Sequence, residues 1–212
     1  MATHETLSTV RRVFSNLKAA KFTPWEVQAG NDGKTKEVLS DVTYDLVDIV
    51  ADTTSVEQAD NEINTIEHEF TSAPLFENVN LGEKTFTTEC VDFQNAVLKE
   101  LFGWHTTTDG DAFAPVGYAD LYCKVELEFN STKDILVLPK VKLNSRAVIA
   151  SMKTDVSRAN ITGTCYPAYV AVSVGEENER KYKYTDMAVI SSGNKSNYDV
   201  TSGKPTDGTE VV

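Results

Sequence analysis

Between Leu121 and Phe129 apolar and polar side chains alternate without a break. Leu121, Cys123, Val125, Leu127 and Phe129 fall on one side of an extended chain; Tyr122, Lys124, Glu126 and Glu128 fall on the other. A helix would spread both sets around its circumference, whereas a strand sorts them onto two faces. The run therefore predicts a half-buried antiparallel strand. The pattern recurs. Residues 84–91 set Phe86, Thr88 and Cys90 on one face, and residues 159–174 set Ala159, Ile161, Gly163 and Cys165 opposite Asn160, Thr162 and Thr164. Further strands are expected over 22–27, 42–50, 135–143, 146–154 and 184–190. Within 42–50, Asp48 interrupts the apolar face. Pro24 marks 22–27 as an edge strand, and Pro139 marks 135–143 as an edge or a bulge, because proline cannot donate to a ladder.

One helix breaks this pattern. Asp92 stands where an N-cap belongs, Phe93, Val97 and Leu101 follow at i, i+4 and i+8, and Gly103 ends the run. The spacing predicts a helix over about 92–102 that packs Phe93, Val97 and Leu101 against a sheet. The expected fold is mainly β: an antiparallel β-sandwich or half-barrel with one principal flanking α-helix, a long loop and extended terminal arms. Residues 62–70 and 84–91 read as the arms of a hairpin joined by the long connection 71–83, which holds Pro74, Phe76, Asn78 and Gly82. Residues 1–30 read as an N-terminal arm or short helix, with Arg11 and Arg12 beside the weak period Leu7, Val10, Val13 or Phe14, Leu17. Residues 31–190 read as the sandwich domain. Residues 191–212, rich in Ser, Gly, Thr and Asp, read as a flexible C-terminal arm.

The chain of 212 residues carries a formal net charge of −12, which excludes a surface that grips nucleic acid by neutralising phosphates. Acidic groups concentrate in 37–100, with fifteen Asp or Glu against two Lys, and basic ones in 133–158, with six Lys or Arg against two Asp. These regions pair within one chain or across subunits. Cys90, Cys123 and Cys165 are odd in number and lie in strand-like alternation, so buried free thiols are expected. The first residues lack the apolar region of a secretory signal, and no apolar run has the length of a membrane span, so an intracellular origin without membrane contact is expected.

Signatures of catalysis are missing. The turn GNDGKTK has Gln28 where a phosphate-binding loop requires glycine. His4, His68 and His105 are scattered, and Asp109-Gly-Asp111 lacks the later ligands of a calcium loop. No GxSxG occurs. No enzyme activity, cofactor or metal is expected. Tyr122, Tyr166, Tyr169, Tyr182 and Tyr184 read as strand or contact residues.

Three stretches carry a resemblance. Residues 52–69 (DTTSVEQADNEINTIEHE), the strand and helix of 86–104 ending in Leu-Phe-Gly-Trp, and residues 138–167 (LPKVKLNSRAVIASMKTDVSRANITGTCYP) together resemble the major tail (tail tube) proteins of long-tailed bacteriophages. The resemblance covers roughly residues 40–190 and is one of pattern. It implies a virion subunit, assembled in the host cytoplasm, that forms hexameric rings stacked into a tube. Its implied partners are other copies of itself, the tape measure protein and the tail terminator, with DNA crossing the lumen without specific binding. It implies that residues 71–83 reach the next ring and that 191–212 clasp a neighbour. By alternation, Glu67, Glu69, Glu126 and Glu128 are candidates for solvent-facing or bore-facing positions. Another virion role (head–tail completion or decoration) and a monomeric β-barrel that binds a small apolar ligand are the alternative readings.

Overall fold

The structure, a computed structural model, describes residues 14–29, 34–46, 48–68, 71–91, 93–117, 120–148, 157–174 and 179–211. For 63–68, 71–78, 148 and 174 it describes the backbone alone. Its largest unit is one antiparallel sheet. Seven strands run in the order β2 (Thr35–Leu39), β1 (Leu17–Ala29), β10 (Leu121–Phe129), β11 (Ile135–Leu143), β13 (Arg158–Tyr166), β7 (Lys84–Cys90) and β4 (Ser55–Gln58). Three short strands branch from it: β3 (Tyr44–Leu46) on β1, β12 (Arg146–Val148) on β13 and β16 (Ala188–Ile190) on β11. The sheet curls far enough for the segment after β3 to reach β7. Ile49, just past β3, bridges Cys90 at the end of β7, with Val50 N–H donating to Glu89 O at 2.8 Å and Val91 N–H to Asp48 O at 3.2 Å.

The inner face of this half-barrel holds the main core. Ala20, Phe22, Leu46, Phe86, Cys90, Cys123, Val125, Leu127, Leu138, Ile161 and Cys165 are buried there, which follows from the period-2 patterns of β7, β10 and β13. Thr88 is fully buried among them because its hydroxyl meets that of Thr54 at 2.8 Å. The helix α1 (Asn95–Phe102) lies on this core, burying Val97, Leu98, Leu101 and Phe102, with Phe93 packed alongside. It begins at Asn95 behind Gln94, which makes no side-chain cap, so it is shorter than the expected 92–102. Asp92 lies outside the described residues. Gly103 adopts φ 68°, ψ 24°, and the N–H groups of Gly103 and Trp104 return to Lys99 O and Leu98 O, closing the helix end as expected.

The outer face is covered in part by a second sheet, ordered β17 (Tyr198–Thr201), β14 (Ala168–Val174), β15 (Glu179–Thr185) and β18 (Thr209–Glu210). Ile135, Val137, Ala168, Val170, Ile190 and Val200 form the core between the two layers, with Trp25 and Tyr198 at its margin. Two small hairpins complete the chain: β5 (Glu62–His68) with β6 (Thr71–Asn80), and β8 (His105–Thr106) with β9 (Ala112–Phe113).

Several expectations are corrected. Residues 17–29 are no arm; β1 lies inside the main sheet, between β10 and the pair β2 and β3. Pro24 is tolerated there because β3 pairs with 20–22 and β2 with 25–29, leaving its position free of a ladder donor's duty. Pro139 marks a bulge on a central strand: between the pairs Cys123–Val141 and Val125–Leu138, one residue of β10 faces two of β11. The strand over 42–50 shrinks to Tyr44–Leu46, since Asp48 takes φ 54°. Residues 62–68 pair with 71–80, not with 84–91, whose partners are β4 and β13. The expected loop 71–83 is therefore mostly strand. The stretch 191–212 supplies a short 3-10 turn, β17 and β18, with Val200 buried, rather than a free arm. Residues 1–13, residues 30–33 of the GNDGKT turn and residues 149–156 lie outside the described residues.

Candidate functional site

Two regions draw attention. The first is an open cleft of about 760 Å³ at the end of the half-barrel where the segment after β3 reaches β7. The start of β1, the end of β3 and the turn 48–54 form its walls. Phe14, Leu17, Ile49 and Phe129 give it an apolar lining, with Phe14 edge-on to Phe129 at 5.2 Å. Asp45, Asp48 and Asp52 stand exposed at its rim. Among the described residues the non-glycine positions with positive φ are Asn16 (55°), Asp48 (54°) and Asp52 (61°), and all three line this cleft. Asn and Asp tolerate that conformation better than bulkier residues do. The turn is braced from beneath: Thr53 Oγ1 donates to Val50 O at 2.8 Å and accepts from Glu89 N–H at 3.1 Å.

The second is the hairpin β5–β6. It forms a two-stranded sheet of its own, and among the described residues neither strand pairs with another element. At its base Gly82 is held tightly. A Cβ there would lie 1.8 Å from Ala59 O, while Gly82 N–H donates to Asn61 Oδ1 at 3.1 Å and Ala59 N–H to Glu83 O at 2.9 Å. Val79 and Leu81 are exposed beside it. Of the residues singled out from the sequence, Pro74, Phe76 and Asn78 lie on the backbone of β6, and Gly82 closes the base. Glu67 lies on β5. Glu69 lies outside the described residues.

Glu126 and Glu128, the other two acidic candidates, are both engaged by neighbouring side chains on the outer face of the main sheet. Tyr198 Oη donates to Glu126, and Lys124 pairs with the same carboxylate at 2.6 Å. Burial, with that carboxylate beside it, pushes the Tyr198 phenol above its usual range. Glu128 receives Lys195 at 3.0 Å, Lys21 at 3.1 Å and Lys18 at 3.5 Å. The Lys195 hydrogen bond, helped by Lys21, holds its carboxyl down to about 2. Tyr198 on β17 and Lys195 in the turn before it tie the end of the chain to the main sheet, to which Lys18, Lys21 and Lys124 themselves belong. The alternation of β10 placed both glutamates on the outer face, but nothing local announced that β17 would cover it.

The acidic and basic regions meet partly within the chain, where Lys140 pairs with Glu37 at 2.7 Å and Arg158 with Glu89 at 3.4 Å. All three cysteines are buried thiols outside any disulfide, and burial pushes those of Cys123 and Cys165 up to about 12. His105 lies exposed in β8. Among the described residues no three His, Cys, Asp or Glu side chains gather as metal ligands would, and no helix is long and apolar enough to cross a membrane.

No protein-family model matches the chain, and no curated protein matches it either.

Proposed function

We propose that this chain is a structural subunit of a bacteriophage tail tube, building stacked hexameric rings that form a conduit for DNA. The hairpin β5–β6 carries the reading. Its ten-residue strand β6 spans roughly 33 Å, at about 3.3 Å per residue, and among the described residues neither strand of the hairpin pairs with a strand outside it. Such an edge is a template for strand pairing with another chain. The pattern resemblance of 52–69, 86–104 and 138–167 supplies the class of assembly; the hairpin supplies a means for it. The half-barrel with one flanking helix suits the same role.

Negative-stain microscopy of the purified chain over a range of concentration and salt tests this. Rings or tubes that grow with concentration are expected. Single small particles at high concentration across all salt conditions would defeat the proposal.

A further inference from the structure

We infer that β15 is an acceptor edge for an extended acidic segment of another protein, and that residues 204–211 hold this edge shut within the chain. β14 pairs with β15 along all seven of its residues. On the opposite side β18 pairs, in parallel, with Lys181 and Tyr182 alone. Val211 N–H donates to Tyr182 O at 2.9 Å, and Gly208, at φ 99°, lies so close that a Cβ on it would stand 2.4 Å from Arg180 O. The side chains match as well. Arg180 donates to Asp207 at 3.0 Å and to Asp199 of β17 at 3.0 Å. Lys204 pairs with Glu210 at 3.0 Å and stands 5.7 Å over the Tyr182 ring. Tyr182 is buried, whereas Tyr184, past the end of β18, is exposed.

The seated segment shows what the edge takes. β15 carries Arg180, Lys181 and Lys183 against Glu179, and the segment answers with Asp207 and Glu210. The same basic groups would face like charges on a second β15, so two copies are poorly suited to pair through this edge. A neighbour's residues 204–211 offer nothing that the chain's own lack, and the tether gives its own a local concentration in the millimolar range. A foreign strand wins by pairing further. β18 uses two of the seven residues of β15, and from Lys183 to Thr185 no described strand pairs on that side. An added strand gains main-chain bonds there, the usual source of affinity in strand addition. The present hold is light: residues 206–211 are all exposed, and so are the carboxylates of Asp199, Asp207 and Glu210 that meet Arg180 and Lys204. Ion pairs of this kind are screened by water and salt. The edge is thus covered well enough to resist chance pairing and loosely enough to be opened.

The test uses the full chain and a dye-labelled peptide, KPTDGTEVTVTV, which is residues 204–211 followed by four strand-forming residues. Gly208→Val drives the chain's own segment off β15, because the new Cβ collides with Arg180 O. Fluorescence anisotropy should then show the peptide binding Gly208→Val at least about tenfold more tightly than wild type, with hydrogen-exchange protection rising at 180–185. The neutral peptide KPTNGTQVTVTV should bind at least about tenfold more weakly. Asp207→Asn/Glu210→Gln loosens the segment by charge alone and leaves β15 untouched, so it should raise affinity in the same direction and serves if Gly208→Val fails to fold. Equal affinity for wild type and the opened variants, no saturable binding to any of them, undiminished binding of the neutral peptide, or protection away from 180–185 overturns the inference. So does self-association that Gly208→Val gains over wild type, which would make a second copy the occupant. Tube formation by wild type is scored separately by microscopy, so either reading can fail alone.

Discussion

Replacing Glu128 with Gln is the sharpest probe of how the turn leading into β17 is held on the main sheet. The substitution keeps the shape of the side chain and removes the charge that gathers Lys195, Lys21 and Lys18. Lowering a carboxyl from 4.5 to about 2 corresponds to at most about 3.4 kcal/mol, at about 1.4 kcal/mol per pH unit. The lysines are wet, with Lys18 60% and Lys195 36% exposed, so water takes up much of that gain and about 1–2 kcal/mol remains. For a chain of this size the loss lowers the melting temperature by about 3–6 °C. The folded carboxyl titrates below the unfolded one, so the native state binds fewer protons. The contribution is therefore complete above about pH 4.5 and fades as the pH falls toward 2. Thermal melts of wild type and Glu128→Gln should differ fully at pH 7, by less than half as much at pH 3, and hardly at all near pH 2. Equal melting at pH 7, or a gap that stays constant down to pH 3, would refute the reasoning.

Gly82→Val should destabilise the chain by at least about 2 kcal/mol and lower hydrogen-exchange protection first at 59–61 and 83–85, because the new Cβ collides with Ala59 O. Cys123 and Cys165 should resist a thiol reagent at pH 8 in the native state and react at once in denaturant; rapid native labelling would contradict their burial. Deleting residues 197–212 removes β17 and the buried Val200, so it should broaden or abolish the cooperative melt; an unchanged melt would show that the second sheet stands without them.

Short-range pattern carried the fold where neighbours in sequence decide the outcome. The faces of β7, β10 and β13 and the Val97–Leu101–Gly103 helix end all follow from periodicity and one glycine. Partner choice is decided over long range, and there the pattern is silent. Alternation alone joins residues 62–70 to 84–91 across a loop, whereas 62–68 in fact pair with 71–80, and Pro24 gives β1 the mark of an edge strand because it sits at a change of partners. Residues 191–212 looked unable to order themselves, and alone they are; Val200 and Tyr198 order against β14 and the main sheet. Of the cleft, only Asp48 left a trace, as the charge that spoiled an apolar face. That interruption is the left-handed turn itself.

The extra residue at Pro139–Lys140 acts as a phase shift along β11. Before it, Ile135 and Val137 serve the second core while Leu136 and Leu138 serve the first. After it, Val141 and Leu143 still face inward although their numbering has changed parity, and Lys140 reaches Glu37 while Lys142 reaches Asp120. Deleting Pro139 would leave Lys140 alone opposite Lys124 on a plain ladder, with Leu138, Val141 and Leu143 still facing inward and Lys142 outward. What the extra residue sets is therefore the local bend and twist of β11, and not the side on which the residues after it fall.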